Sequence, residues 1–162
     1  MRLQTVIRAI VAYGALLLIT ACVPSLYPLC TDGDLVFDPG LVGTWIDDDD
    51  DTWTFEARSS GFGYNLTIVE DGVSADFSAH LVQLGAHRFL DSYPDADFPF
   101  DHDVFQLHAL AVHTFWKLAL EGETMRLVGL DREWLEDGME SGALSVTHSL
   151  WGDDNDLILL TA

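Results

Sequence analysis

Acidic side chains are concentrated in one loop-like stretch of the sequence, residues 91 to 103 (DSYPDADFPFDHD). Asp95, Asp97, Asp101 and Asp103 offer carboxylate oxygens there, and a hard cation such as Ca²⁺ binds about six to eight oxygens. The stretch lacks the Asp spacing and the closing Glu of an EF-hand loop, as do the Asp-rich runs elsewhere in the chain. The sequence therefore predicts a weak metal site at these four aspartates, with a solvated acidic loop as the alternative.

The thiol of Cys22 is the second group whose surroundings indicate chemistry. Residues 9 to 21 (AIVAYGALLLITA) contain no charge, and Arg2 and Arg8 precede this run. A basic start followed by a short apolar run is typical of a secretory signal peptide. As a helix the run would span only about 20 Å, less than the roughly 30 Å hydrocarbon core of a bilayer. The sequence therefore predicts a targeting segment over residues 1–21, not a permanent membrane span.

The residues at the end of this segment resemble the lipobox of bacterial lipoproteins. Ile19, Thr20 and Ala21 lead directly into Cys22, where the family has Leu, a small residue, Ala or Gly, and then Cys. The resemblance implies cleavage between Ala21 and Cys22 and lipidation of Cys22, whose acyl chains hold the protein at a membrane. Val23 after the cysteine implies the outer membrane of the cell envelope, facing the periplasm. A plain signal peptide with a buried cysteine and a buried core helix are the alternatives.

Motifs of known catalytic sites are absent from the sequence. It contains no G-x-S-x-G, H-E-x-x-H, G-x-x-x-x-G-K or C-x-x-C, and its six histidines are dispersed. We therefore expect no enzyme and no cofactor. Cys30 has no intrachain partner once Cys22 is lipidated, so it is interpreted as a free thiol or, alternatively, as half of an intermolecular disulfide.

The charge of the chain restricts its partners. The 162 residues include 27 acidic and seven basic ones, for a formal net charge of -20. Nucleic acids and anionic lipid surfaces repel such a chain, so we expect no nucleic-acid partner and a membrane contact through the lipid anchor. The hydrophobic fraction of 49% is high enough for a packed core, and the length fits one domain.

Alternating apolar and polar residues predict an all-β domain. Turn signals such as Asp71-Gly72 connect successive runs, which indicates an antiparallel meander. Asp131 as N-cap and Gly138 as the C′ residue predict one short helix near residues 132–137. Because no helical layer covers the sheet, we expect it to close into a barrel of about eight strands. The predicted strands are residues 51–57, 64–69, 73–82, 87–93, 104–120, 124–130, 143–148 and 156–161.

The segment FDPGLVGTW, residues 37 to 45, resembles the lipocalin and wider calycin pattern, in which Gly-x-Trp opens the first barrel strand. Gly43 and Trp45 occupy the motif positions, and the resemblance implies that Trp45 closes the base of a lipocalin-like barrel. Residues 37–162 also resemble small bacterial lipoproteins with such a domain. The predicted organisation is a signal peptide at 1–21, a lipidated N-terminus and tether at 22–40, and the barrel domain at 41–162.

Two functions fit these interpretations. The first is a lipid-anchored envelope protein whose barrel binds a small apolar ligand or lipid. The alternative is an interaction or structural lipoprotein with a filled barrel, whose surface docks another envelope protein. An interior cavity of about 300 Å³ or more would favour the first, and a packed interior the second.

Overall fold

The structure is a computed structural model that describes residues 23–29, 31–59, 61–95, 109–151 and 157–161, together with the backbone of residues 8–10. A short 3-10 turn covers Asp32–Asp34, and one α-helix, α1, covers Arg132–Glu140 within this part of the chain. The strands are β1 Arg8–Ile10, β2 Leu35–Val36, β3 Gly43–Ile46, β4 Thr52–Ala57, β5 Tyr64–Glu70, β6 Val73–Leu84, β7 His87–Pro94, β8 Thr114–Glu121, β9 Thr124–Gly129, β10 His148–Trp151 and β11 Leu157–Leu160.

Strands β3 to β9 form the wall of a nearly closed antiparallel barrel. Each strand pairs with the next one along the chain, so the predicted meander is confirmed. The long strand β6 pairs first with β5 and later with β7, and β2 takes the place of β5 beside its last part. Strand β1 lies parallel between β3 and β9 and completes the ring. This arrangement is consistent with a calycin-like fold.

Buried side chains pack together in the barrel interior, and partly buried hydrophobic residues pack against them. Trp45 is fully buried, as the Gly-x-Trp resemblance implies for a barrel-closing residue, and its indole Nε1 donates a hydrogen bond to the Leu41 carbonyl at 2.9 Å. Trp53, its cross-strand partner, meets Trp116 edge to face with ring centroids 5.7 Å apart. Besides Trp45, the buried members of this core are Leu41, Phe55, Tyr64, Leu66, Ala79, Leu81, Leu90, Leu118 and Met125.

A second, smaller core lies outside this wall, where α1 packs against the chain ends. Val23, Leu135 and Ile158 form its buried centre. Strands β10 and β11 pair with each other in a separate two-stranded sheet, so the last two predicted strands do not continue the barrel wall. Of the long strand predicted over 104–120, residues 104–108 lie outside the described part of the chain, and the regular strand starts at Thr114.

The helix α1 includes the predicted residues 132–137 but ends three residues later. The Asp131 carboxylate accepts the Trp134 N–H at 2.9 Å, which confirms the predicted N-cap. Gly138 lies inside the helix, so its prediction as the C′ residue is wrong. A Cβ there would be 2.5 Å from Leu144 Cδ1, so close packing, not capping, explains this glycine. Gly142, with φ of 71°, adopts the left-handed conformation beyond the helix. No helix in the described ranges has the length and apolar character that a bilayer crossing needs.

Replacing Trp45 with Ala tests its place in the core. We expect Trp45→Ala to lower the free energy of unfolding by about 3 to 5 kcal/mol, because it removes a fully buried side chain and leaves a cavity. Trp134→Ala is the matched control, since Trp134 is 58% exposed, and we expect a much smaller loss. Urea unfolding of both variants measures the difference. Equal losses would contradict the core position of Trp45.

Deleting residues 1–21 tests how far the barrel depends on β1. The buried core of the barrel comes from residues 41–125, so we expect the shortened chain to fold. Strands β3 and β9 would then have unpaired edges, and their amide hydrogens should exchange faster than in the full chain. Hydrogen exchange measured by mass spectrometry, with the central strand β5 as internal control, decides this. Unchanged exchange in β3 and β9 would show that β1 does not protect them.

Candidate functional site

An apolar groove of about 250 Å³ lies on the outer wall of the barrel. Its floor consists of Phe89 on β7, Phe115 and Lys117 on β8, and Val128 on β9, and its sides include Leu29 and Trp134. We call this feature the outer groove. A second, wider and more polar depression of about 340 Å³ lies between α1 and the β10–β11 sheet.

The strand register explains why the floor of the outer groove is a continuous surface. Lys117 is the cross-strand partner of both Phe89 and Val128, so these three side chains form one row across the sheet. Side chains alternate between the two faces of a strand, and Leu90 and Leu118 point into the barrel. The row therefore faces outward, away from the filled core.

Lys117 is the only lysine of the chain. The ion pairs found among the described residues use Arg58, Arg88, His113 and Arg132, so within this part of the chain Lys117 has no acidic partner. The nearby Asp131 carboxylate also borders the groove, but it accepts the N-cap hydrogen bond of α1. The lining of the groove is therefore almost entirely carbon, and Lys117, whose side chain is exposed to solvent, and Asp131 are its two charged residues.

A buried Asp–His pair holds the segment that forms one side of the groove. Asp91 is only 2% exposed, and its Oδ1 lies 2.7 Å from His113 Nδ1. Its Oδ2 accepts the Leu29 N–H at 2.9 Å. The backbones of Ser25 and His113 exchange two further hydrogen bonds, of 2.9 and 2.8 Å. Leu29 is thus positioned by a carboxylate whose two oxygens are both engaged.

The same pair resembles the base and orienting acid of a nucleophilic site, but the neighbouring hydroxyls are used elsewhere. Ser25 Oγ donates to the Tyr27 carbonyl at 2.8 Å, and Ser92 Oγ lies 2.9 Å from Thr114 Oγ1. A triad needs its hydroxyl within hydrogen-bond reach of the histidine. The contacts of Asp91 therefore indicate that this residue positions residues 23–29 on the barrel wall.

His80, the cross-strand partner of Asp91, adds a second histidine to this face of the sheet. Burial lowers the pKa of the His80 imidazole, while the negative charge of Asp91 acts in the opposite direction. A Cβ on Gly63 would come within 3.0 Å of the His80 ring, so the backbone there packs directly against the imidazole. Close packing and the lowered pKa favour the neutral form of His80 at pH 7.

The predicted site residues that the structure describes do not line the outer groove. Ala21 and Cys22 lie outside the described residues, as do Asp97, Asp101 and Asp103. Asp95 is described, and its carboxylate bonds Arg58 Nη2 and the Ser78 hydroxyl, both at 3.1 Å. No cluster of three potential metal ligands occurs in the described ranges. The metal site at the four aspartates stays a prediction.

The outer groove was missed by the sequence reasoning, although a signal for it is present. Phe89-Leu90, Phe115-Trp116 and Leu127-Val128 are adjacent apolar pairs within strands. A strand with only one buried face alternates apolar and polar residues, so adjacent apolar pairs indicate that both faces are covered. These pairs occur in the three strands that form the floor of the groove.

Comparisons with known proteins give no further guide to this site. The chain matches no known protein family, no curated protein and no solved structure. The calycin-like arrangement therefore stands on the barrel topology, and any function has to be argued from the geometry described above.

Replacing Asp91 with Ala tests its role in holding the N-terminal segment. The change leaves the Leu29 N–H and His113 Nδ1 without their acceptor, and we expect a loss of about 1 to 3 kcal/mol in the free energy of unfolding. Amides of residues 23–29 should also exchange faster. Asp95→Ala is the control, because that half-exposed ion pair contributes about 0 to 1 kcal/mol. Unchanged exchange at residues 23–29 in Asp91→Ala would contradict the positioning role.

Proposed function

We propose that this protein is a lipid-anchored component of the cell envelope whose filled barrel acts as a scaffold for binding at its outer surface. The observation that carries the proposal is the packed interior, where Trp45, Phe55, Tyr64 and Leu66 are buried side by side. Barrels of about eight strands hold either their own side chains or one small ligand. This packed cluster supports the interaction lipoprotein over the ligand container.

The anchor in this proposal is the lipidated thiol of Cys22, as the lipobox resemblance at residues 19–22 implies. Val23, which follows it directly, is buried against Leu135 and Ile158. Leu160 donates its N–H to the Pro24 carbonyl at 2.9 Å. Because the chain packs against the domain from Val23 onward, almost no free chain separates the lipid anchor from the domain. The domain would therefore lie close to the membrane surface. The proposed location is the periplasmic side of the outer membrane.

Cleavage before Cys22 would also remove β1 from the sheet. The seven antiparallel strands β3 to β9 and their core would then form the mature barrel, open between β3 and β9. The proposal includes no enzymatic activity, cofactor or nucleic-acid partner. Asp91 and His113, which most resemble a catalytic pair, are assigned to holding Leu29.

Lipidation is tested by growing a bacterial host that expresses the full chain with a radiolabelled fatty acid. We expect the native chain to incorporate the label and to sediment with membranes, and Cys22→Ser to do neither. Cys30→Ser is the matched control and should behave like the native chain, since only Cys22 follows the lipobox. Equal labelling of Cys22→Ser and the native chain would refute the anchor.

A further inference from the structure

The outer groove has the chemistry of a site for one particular class of small molecule. Its walls are the aromatic and aliphatic carbons of Phe89, Phe115, Val128, Leu29 and Trp134. Val128 is 51% exposed and Trp134 58% exposed, so a large apolar surface faces solvent in the absence of an occupant. Covering such a surface is favourable by about 25 cal/mol for each Å² removed from water.

The scarcity of polar groups in the groove excludes an extended peptide as a good occupant. A peptide backbone carries an N–H and a C=O at nearly every residue, and each costs free energy when buried against carbon without a partner. A hydrocarbon chain has no such groups. At about 250 Å³ the groove is also smaller than the pockets of about 300 to 1,000 Å³ that enclose drug-sized ligands. Its chemistry and its size both favour a slender alkyl chain.

Lys117 determines the polar end of the ligand. Its side chain lines the groove, and within the described part of the chain it forms no ion pair. An anionic head group would form an ion pair with the exposed Lys117 side chain. The net charge of the chain is negative, but solvent-exposed charges beyond the Debye length of about 8 Å are largely screened at physiological salt. Of the two charged side chains that line the groove, Lys117 attracts an anion, whereas the Asp131 carboxylate accepts the N-cap hydrogen bond of α1.

We propose that the outer groove binds a single-chain amphiphile, with its acyl chain along Phe89, Val128 and Trp134 and its anionic head group on the Lys117 ammonium. Free fatty acids and anionic lysophospholipids share this chemistry. The inference rests on the proposed function, because it names the ligand that binds at the outer surface of the barrel. It does not depend on lipidation of Cys22.

Contact quenching by bromine tests where the acyl chain lies. The probe is a terminally brominated undecanoate, added below its micelle concentration to the full chain carrying Cys22→Ser, so that no attached lipid competes. Trp134 lies in the groove, whereas Trp45, Trp53 and Trp116 lie in the barrel core. We expect saturable quenching of tryptophan fluorescence that is largely lost in Trp134→Phe, although calorimetry still detects binding by that variant.

Substitutions at Lys117 and Val128 test the head-group contact. Lys117→Met should weaken undecanoate binding about threefold to fivefold and leave binding of the corresponding brominated alcohol unchanged, while Lys117→Arg restores the acid. Val128→Asp places a carboxylate on the groove floor and should weaken the acid at least about tenfold. Val73→Asp is the matched control, because Val73 is 72% exposed at the β5–β6 turn, and it should bind normally.

Competition with unlabelled lipids identifies the natural ligand class, and two other results would overturn the inference. Displacement of the probe by laurate assigns a free fatty acid as the ligand, and displacement by lauroyl lysophosphatidylglycerol alone assigns a phospholipid. Displacement by neither would overturn the inference. Quenching that persists fully in Trp134→Phe would overturn the inference, and its loss in Trp53→Phe or Trp116→Phe would place the chain in the barrel and overturn the filled-barrel function as well. The absence of saturable binding would overturn the inference alone and leave the filled barrel standing.

Discussion

Strands β7, β8 and β9 carry apolar side chains on both faces, and most other features of the molecule follow from this constraint. The inner row, with Leu90 and Leu118, belongs to the barrel core. The outer row, with Phe89 and Phe115, needs a cover of its own, because exposed apolar area is unfavourable in water. Residues 23–29 and α1 supply part of that cover, and the outer groove is the gap that they leave. The groove thus remains because residues 23–29 and α1 cover only part of the apolar outer face of β7 to β9.

The buried Asp91 carboxylate shows how an irregular segment is held at a defined position. Burying a charge is costly unless hydrogen bonds compensate for lost water. The Leu29 N–H and the His113 ring supply these bonds. Leu29 belongs to the segment 23–29, and the backbone of His113 pairs with Ser25 of the same segment. The carboxylate is therefore satisfied only when the segment is docked. This coupling gives a short stretch without regular structure a single preferred path over the barrel wall.

The sequence predicted the barrel far better than its covering layer, for a physical reason. Period-two alternation is a local signal, and it predicted the strands that carry Phe55, Leu66 and Leu81, which are buried in the barrel core. The contact between Leu29 and Asp91 joins residues 62 positions apart, and no local pattern marks it. Gly138 was misread because its close neighbour, Leu144, lies beyond the helix in a tertiary contact. The outer groove depends on such contacts, so only its floor left a trace in the sequence.

Strand β3 pairs with β1 and would become an edge of the barrel wall if residues 1–21 are removed, as proposed. An exposed strand edge invites pairing with other chains, and short strands and nearby charges reduce that risk. Strand β3 has only four residues and runs directly into the acidic turn Asp47–Asp51. That turn is fixed by Asp47, whose Oδ1 accepts the backbone N–H groups of Asp49 and Asp51 at 3.0 Å. A second copy approaching β3 would meet this rigid cluster of carboxylates. In the proposed mature barrel, the acidic turn would therefore disfavour pairing of a second copy with the edge of β3.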